Sequence, residues 1–276
     1  MNTNATLEEK RNEIRGHKIV SREEWTDARK KLLKKEKEET KMRDELSAER
    51  RKLPWVKIEK DYVFSGPKSD VSLSELFNGR SQLLVYHFMF GPDWKEGCPS
   101  CSFLCDHIDA AVPHLAARDV QVVMISRAPL PKIEAFKKRM GWHFDWVSSN
   151  ANDFNHDFNV SFTPQEMAKG KVYYNYTLQE FPSAEAPGIS VFYKNADGEI
   201  FHAYSTFGRG LDSVVGTYVL LDMVPKGRDE DHLAFSMEWV RHHDRYGTHE
   251  FADADKPYWP EITNASSDCG CGEKKQ

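Results

Sequence analysis

Two cysteines separated by two residues constrain this chain most, because of the residues on either side of them. Residues 98–101 read Cys-Pro-Ser-Cys, an apolar, aromatic-rich run precedes them at 83–90, and a helical pattern follows them. A two-residue spacer lets two sulfurs pair and separate across one helical turn. A strand, a loop and a helix around such a pair form the setting that a thioredoxin-like motif requires. The sequence therefore predicts reversible thiol redox chemistry.

The two cysteines are predicted to have different roles. Pro99 suits the first position of a helix, which places Cys98 at the helix N-terminus. The unpaired amides and the dipole at that end stabilise a thiolate. We therefore predict that Cys98 is the attacking nucleophile and that Cys101, one turn further on, is the resolving thiol. Trp94, in the loop before them, is predicted to shape the site or bind substrate.

A third cysteine, Cys105, is predicted to lie in the core. Apolar residues at positions 101, 104, 105, 108, 112 and 115 form one stripe of the helix, which should face the sheet. A buried cysteine behaves as a small hydrophobic residue. The alternative is a third redox-active or metal-binding sulfur.

The remaining pattern predicts an α/β fold with a central sheet and flanking helices. The predicted elements are strands at 82–90, 120–126 and 142–148, helices at 99–117 and 131–140, and an extended entry strand at 55–64. Turn residues at 195–198 separate two strands of a closing hairpin, 189–193 and 199–207. Helical patterns follow at 211–221 and about 230–246. Alternating strands and helices of this kind form layered α/β units.

Three regions are predicted along the chain. Residues 1–60 form a charged helical extension, 61–225 form the thioredoxin-like domain with an insertion at about 150–185, and 226–276 form a C-terminal helix and a tail. Ser21 and Glu24 form a capping-box pattern at the start of the N-terminal helix, and Pro54 ends it. Its few apolar positions predict a solvated helix, or a narrow stripe through which two copies dimerise.

Composition limits the classes of partner. The formal net charge of −5 and the pI near 6.1 provide no basic field for nucleic acid or a membrane surface. No apolar stretch approaches the roughly 18 residues that cross a bilayer. The N-terminus lacks a secretory apolar segment, so a cytoplasmic location is expected. The expected partners are a protein or small-molecule disulfide or oxidant and an electron donor that the sequence does not specify.

Pro187 and two histidines are further candidates. Pro187 stands just before the first hairpin strand, where thioredoxin-like folds place a cis proline beside the reactive cysteines; an ordinary strand-entry proline is the alternative. His87 and His202 are predicted to be core or surface histidines rather than bases or ligands.

Several longer motifs resemble the bacterial DUF899 family of thioredoxin-like proteins, over about residues 15–250. The motifs are 50–55, 86–91, 97–102, 126–129, 139–142, 187–191, 204–206 and 225–230. The resemblance implies a thioredoxin-like fold and a thiol redox site at Cys98 and Cys101. It implies no settled substrate, and it does not extend to Cys105 or to Cys269 and Cys271.

Other functions remain open on the sequence. A thiol peroxidase would use the same cysteines, but the usual peroxiredoxin threonine and proline positions hold Lys95 and Gly91. No cofactor is expected for the redox reaction. As an alternative, Cys101, Cys105 and His202 resemble a copper-binding set, and zinc on Cys98 and Cys101 is a further possibility.

The tail and the N-terminal helix offer further alternatives. Cys269-Gly-Cys271 would bind Cu(I), pass electrons to the main pair, or have no function. The remaining class is an interaction protein that dimerises through its N-terminal helix.

Overall fold

A computed structural model describes residues 16–246, and the chain divides into two compact units. The first comprises the described residues up to Pro54 together with Met223–Gly227. The second comprises Trp55–Asp222 and the described residues from Arg228 onward. None of the helices in the described part of the chain is long and apolar enough to cross a membrane.

The first unit is mainly one long helix, α1 (Arg22–Arg50). The predicted capping box is confirmed: the Ser21 hydroxyl accepts from the Glu24 amide, and the Glu24 carboxylate accepts from the Ser21 amide. No residue of α1 is buried. Because charged side chains surround its few apolar positions, the helix depends on capping and on its own hydrogen bonds.

The second unit is built on an eight-stranded mixed sheet. Its strands are β1 (Val56–Lys57), β2 (Val63–Ser65), β3 (Asp70–Ser72), β4 (Gln82–His87), β5 (Val120–Ser126), β6 (Asp145–Ser148), β9 (Gly188–Lys194) and β10 (Ile200–Phe207). Their order is β1-β10-β9-β4-β5-β6-β2-β3. β4, β5 and β6 run parallel, and the other neighbouring pairs are antiparallel.

Helices connect the parallel strands. They are α2 (Pro99–Asp109), α3 (Val112–Ala116) and α4 (Leu130–Met140). A further helix, α7 (Gly216–Leu221), follows the β9–β10 hairpin. The chain passes from β4 through α2 and α3 to β5, then through α4 and β6 to the β9–β10 hairpin and α7. The central order β5-β4-β9-β10 is the thioredoxin-like arrangement, so the predicted fold class is confirmed.

Side chains along the central strands point alternately to the two faces of the sheet, and apolar side chains form a core on each face. Tyr86 and Met124 face a core shared with α2 and α4, whereas Val85 and Ile125 face a core shared with the segment after β6. Successive strand residues point to opposite faces, so each strand contributes to both cores. The three described cysteines lie on one face of the sheet, and His202 lies on the other.

The segment at about 150–185, predicted as an insertion, forms short helices and strands. It contains α5 (Phe154–Asp157), α6 (Pro164–Met167) and a separate hairpin of β7 (Val172–Tyr174) and β8 (Thr177–Gln179). Phe162, Tyr174 and Phe207 belong to a third small core that joins the insertion to the end of β10. The polar-aromatic pattern reflects these short elements, each of which buries only a few aromatic rings.

Several predicted elements are wrong in extent. The strands expected at 82–90 and 142–148 are the shorter β4 and β6, and the helix expected at 211–221 is a 3₁₀ helix at Gly208–Val214 followed by α7. The helix expected at 99–117 is two helices, because Pro113 has no amide to continue the first one. The entry strand at 55–64 is interrupted between β1 and β2. The helix expected at about 230–246 is absent: the segment is irregular apart from a 3₁₀ turn at His243–Arg245, and Met237 has a φ of 70°.

Candidate functional site

The site begins where β4 ends. The chain leaves His87 in a loop and enters α2 with Cys98 as the N-cap residue and Pro99 in the first turn. The Cys98 amide donates to the Met89 carbonyl at 3.0 Å, which ties the helix start to the loop. Cys98 is partly exposed, whereas Cys101 is buried and Cys105 fully so. The predicted attacking residue is therefore the one of the three described thiols that solvent reaches.

Hydrogen bonds lower the pKa of the Cys98 thiol to about 7. The largest cause is a hydrogen bond from the Cys101 thiol, and the amides of Cys101 and Ser100 add to it, while burial opposes them. These amides belong to the first turn of α2, where backbone donors have no partner within the helix. A pKa in this range lets Cys98 ionise at neutral pH more readily than an ordinary thiol does.

Cys101 is held in the opposite state. Burial, followed by the nearby Cys98 thiolate, raises the pKa of its thiol well above the ordinary value. Two donors act against this: the Met89 amide reaches the Cys101 sulfur at 3.4 Å, and the buried Tyr86 hydroxyl bonds to the same atom. When one thiol of the pair is ionised, Cys101 therefore keeps its proton and Cys98 carries the negative charge. Sequence reasoning did not identify Tyr86 as part of the site.

Cys105 lies where the stripe on α2 predicted. It is 0% exposed and belongs to the core between α2 and the sheet. Burial raises the pKa of its thiol well above the ordinary value. The prediction that Cys105 lies in the core is therefore confirmed.

Trp94 and Pro187 flank the site in different ways. The indole of Trp94 lies over Gly91, and Lys132 donates to the Trp94 carbonyl at 3.2 Å, which closes the loop. Pro187 precedes β9, whose first residue, Gly188, pairs with the last residue of β4. The residues that the structure describes contain no cis peptide bond, so Pro187 is an ordinary strand-entry proline.

A segment far along the chain also reaches the loop. The buried His242 ring donates from Nε2 to the Gly97 carbonyl at 2.8 Å. Arg245 donates twice to the Glu96 carboxylate, at 2.7 and 2.8 Å, and Arg139 joins Glu96 to Asp244. Nothing local in the sequence indicates these contacts, which join residues between 43 and 149 positions apart.

The copper-binding set proposed from sequence does not come together. His202 lies on β10 and packs against Phe158 and Phe192, on the sheet face opposite to Cys101 and Cys105. Among residues 16–246, no three His, Cys, Asp or Glu side chains are placed to hold a metal ion. Cys269 and Cys271 lie outside the described residues.

His202 instead ends a polar chain that crosses three strands. His87 Nε2 contacts the Ser190 hydroxyl at 2.8 Å, Ser190 contacts Ser205 at 2.8 Å, and Ser205 contacts His202 Nε2 at 2.7 Å. Burial lowers the pKa of His87 to about 3 and also lowers that of His202, so both rings are neutral near pH 7. His87 is thus a buried and His202 a partly buried histidine, each with a hydrogen-bond partner, as expected of core or surface histidines.

Comparisons with solved structures find peroxiredoxins at low identity. A cysteine-to-serine mutant of Xanthomonas campestris peroxiredoxin Q matches at 13% identity and a TM-score of 0.39, covering 57% of this chain and 90% of that one. Peroxidoxin BcpB from Mycobacterium tuberculosis matches at 14% identity and a TM-score of 0.38, covering 57% and 91%. A search of the curated proteins finds no match.

A family model covers most of the chain. The model described as "Bacterial protein of unknown function (DUF899)" matches residues 14–246. This range includes the cysteine motif, both cores and the segment that carries His242. The chain therefore belongs to the DUF899 family.

Proposed function

We propose that the protein is a thiol–disulfide oxidoreductase in which Cys98 attacks and Cys101 resolves. The observation that carries this proposal is the unequal state of the two thiols one helical turn apart. Cys98 is partly exposed with a pKa near 7, whereas Cys101 is buried and protonated. Such an arrangement is suited to thiol–disulfide exchange, in which the exposed thiolate attacks the substrate and the buried thiol then resolves the mixed disulfide.

In the first step, the Cys98 thiolate attacks one sulfur of a substrate disulfide. A bond forms between Cys98 and that sulfur, the substrate S–S bond breaks, and the second substrate sulfur leaves as a thiolate. Helix α2 presents amides of Ser100 and Cys101 to the attacking anion, so the nucleophile is stabilised before substrate arrives. A thiol with a pKa near ambient pH combines a high thiolate fraction with good nucleophilicity.

In the second step, Cys101 attacks the Cys98 sulfur. Once Cys98 is bound in the mixed disulfide its negative charge is gone, so the repulsion and the hydrogen bond to the Cys98 thiolate no longer raise the pKa of Cys101, whereas burial, the larger cause, remains. The Tyr86 hydroxyl and the Met89 amide then stabilise the Cys101 thiolate. Its attack forms the Cys98–Cys101 disulfide and breaks the bond between Cys98 and the substrate sulfur, which leaves as a thiolate and takes up the proton that Cys101 lost. Two electrons pass to the substrate, and an external dithiol must return them.

The test has two parts: turnover of a chromogenic aromatic disulfide with dithiothreitol as the electron donor, counted above the rate without protein, and trapping with the aromatic disulfide alone, because dithiothreitol would cleave a mixed disulfide. Cys98→Ser should abolish turnover, and Cys101→Ser should accumulate a mixed disulfide at Cys98. Cys105→Ala is the matched control, because it removes a third thiol of the same helix that the mechanism does not use. Turnover that survives Cys98→Ser would overturn the proposal.

Two other outcomes would assign a different function. Faster consumption of hydrogen peroxide than of any disulfide by the same thiolate would indicate a thiol peroxidase. Stoichiometric copper or zinc that protects Cys98 and Cys101 from alkylation would indicate a metal-binding protein. Metal analysis of the purified full-length chain belongs beside the turnover assay for this reason.

A further inference from the structure

We propose that His242 is a positioning residue that fixes the peptide unit before Cys98 and so aims the Cys98 sulfur at the first turn of α2. The proposal rests on the proposed function, because it concerns the same nucleophile. It assigns a role in the site to a segment 145 residues away in the sequence. His242 itself does not touch substrate.

The peptide unit between Gly97 and Cys98 is held at both of its polar groups. Its carbonyl accepts from His242 Nε2 at 2.8 Å, and its amide donates to the Met89 carbonyl at 3.0 Å. A peptide unit is planar, so two opposed hydrogen bonds fix its orientation. That orientation sets the direction in which the Cys98 side chain leaves the backbone.

Packing allows little room for this peptide to move. A Cβ atom on Gly97 would come within 2.6 Å of the Phe88 ring and 2.8 Å of the Phe136 ring. The His242 ring packs against the same Phe136 ring, with centroids 5.2 Å apart. Position 97 therefore requires glycine, because the Phe88 and Phe136 rings leave no space for a Cβ atom. The Phe136 ring contacts both Gly97 and His242.

The surroundings of His242 select one protonation state. A carbonyl only accepts, so Nε2 must carry the hydrogen that points at Gly97. On the other side, an Arg139 nitrogen lies 3.2 Å from Nδ1, and a guanidinium only donates, so Nδ1 must present its lone pair. The ring is thus neutral with its hydrogen on Nε2. Burial lowers the pKa of His242, which favours the same neutral state.

Arg139 is itself held in place by two carboxylates. It contacts Glu96 at 2.7 Å, and Asp244 at 2.7 and 2.8 Å. Arg245 pairs with the same Glu96. Because Glu96 directly precedes Gly97, its ion pairs with Arg139 and Arg245 hold the loop in place. Arg139 also orients the His242 ring through its contact with Nδ1.

The test is the pH profile of Cys98 alkylation by iodoacetamide on the full reduced chain, read by mass spectrometry of the Cys98 peptide. His242→Phe keeps an aromatic ring against Phe136 but loses the donor. His242→Gln keeps a donor for Gly97. Trp239→Phe is the control, because it removes one hydrogen bond of the same segment, the 2.6 Å bond to Glu230, without touching the loop.

We expect His242→Phe to raise the pKa of Cys98 from about 7 to about 8, which lowers the thiolate fraction at pH 7 about fivefold. His242→Gln and Trp239→Phe should keep the wild-type profile. The proposal is wrong if His242→Phe leaves the profile unchanged, or if either of the other two variants raises the pKa as much. A wild-type pKa near 8.5 would instead contradict the proposed function itself.

A second measurement needs no variant. Ring ¹⁵N chemical shifts of His242 in the wild-type protein identify which nitrogen carries hydrogen. The proposal requires hydrogen on Nε2 at neutral pH. Hydrogen on Nδ1 alone would overturn it, whether or not the Phe variant folds.

Discussion

The strongest prediction concerns the hydrogen bond from Cys101 to Cys98. This bond is the largest cause that lowers the pKa of Cys98 to about 7, against an ordinary value near 8.5. Cys101→Ala removes the donor, whereas Cys101→Ser replaces the thiol by a hydroxyl that still donates. The two variants differ by one atom, so they separate the hydrogen bond from the loss of a side chain.

The magnitude follows from the strength of such a bond. A hydrogen bond to a charged group contributes about 1.5–3 kcal/mol, and one pKa unit is about 1.4 kcal/mol. Helix amides still reach Cys98 in the alanine variant, and they compensate for part of the loss. We therefore expect Cys101→Ala to raise the pKa of Cys98 to about 8, and Cys101→Ser to leave it near 7.

The assay is thiolate absorbance at 240 nm against pH, with the Cys98→Ser protein subtracted. Each Cys101 variant is measured against its own double variant that also carries Cys98→Ser, so the subtraction removes the other cysteines, four in the wild type and three in each variant. Equal pKa values in the alanine variant and the wild type would refute the role given to Cys101. A serine variant that matches alanine would show that the sulfur, not its hydrogen, is what matters.

Three further predictions follow from the site. Cys105→Ala should keep turnover and lower the free energy of unfolding by about 1–2 kcal/mol, measured by urea denaturation, because it leaves a small cavity; loss of turnover would contradict the structural role. Tyr86→Phe should slow release of the second product about tenfold, since Cys101 loses one donor, while the rate of Cys98 alkylation stays unchanged; a slower alkylation would place Tyr86 in the first step instead. Folding lowers the pKa of Cys98, so the Cys98 thiolate stabilises the folded state fully above the unfolded pKa near 8.5, and this stabilisation is lost as pH falls through about 7. The urea midpoint of the reduced wild type, relative to that of Cys98→Ser, should therefore rise between pH 6.5 and 9. A difference that does not change with pH would contradict this prediction.

Local chemistry made much of the fold predictable. The capping box at Ser21, the left-handed Gly141 after α4 and the apolar stripe on α2 each depend on residues within one or two helical turns. The strand β5 matches its predicted bounds because both of its faces are buried and its apolar run is continuous. Cys98 and Cys101 were identified for the same reason, since their spacing and helix position are local.

The rest of the site depends on contacts that spacing does not encode. His242 reaches Gly97 because the segment from Arg228 onward is irregular. The sequence of this segment predicted a helix instead. Tyr86 reads as an ordinary core aromatic of β4 until the helix places Cys101 beside it. His202 was grouped with the cysteines by residue type, and the sheet lies between them.

The most direct test of the central claim is peptide mapping of the full-length protein before and after mild oxidation. We expect a reversible mass loss of about 2 Da, the two hydrogens lost when a disulfide forms, located between Cys98 and Cys101 and reversed by dithiothreitol. Cys105 should stay unmodified. An oxidised protein in which Cys98 and Cys101 remain free thiols, or in which Cys98 bonds to a cysteine other than Cys101, would contradict it.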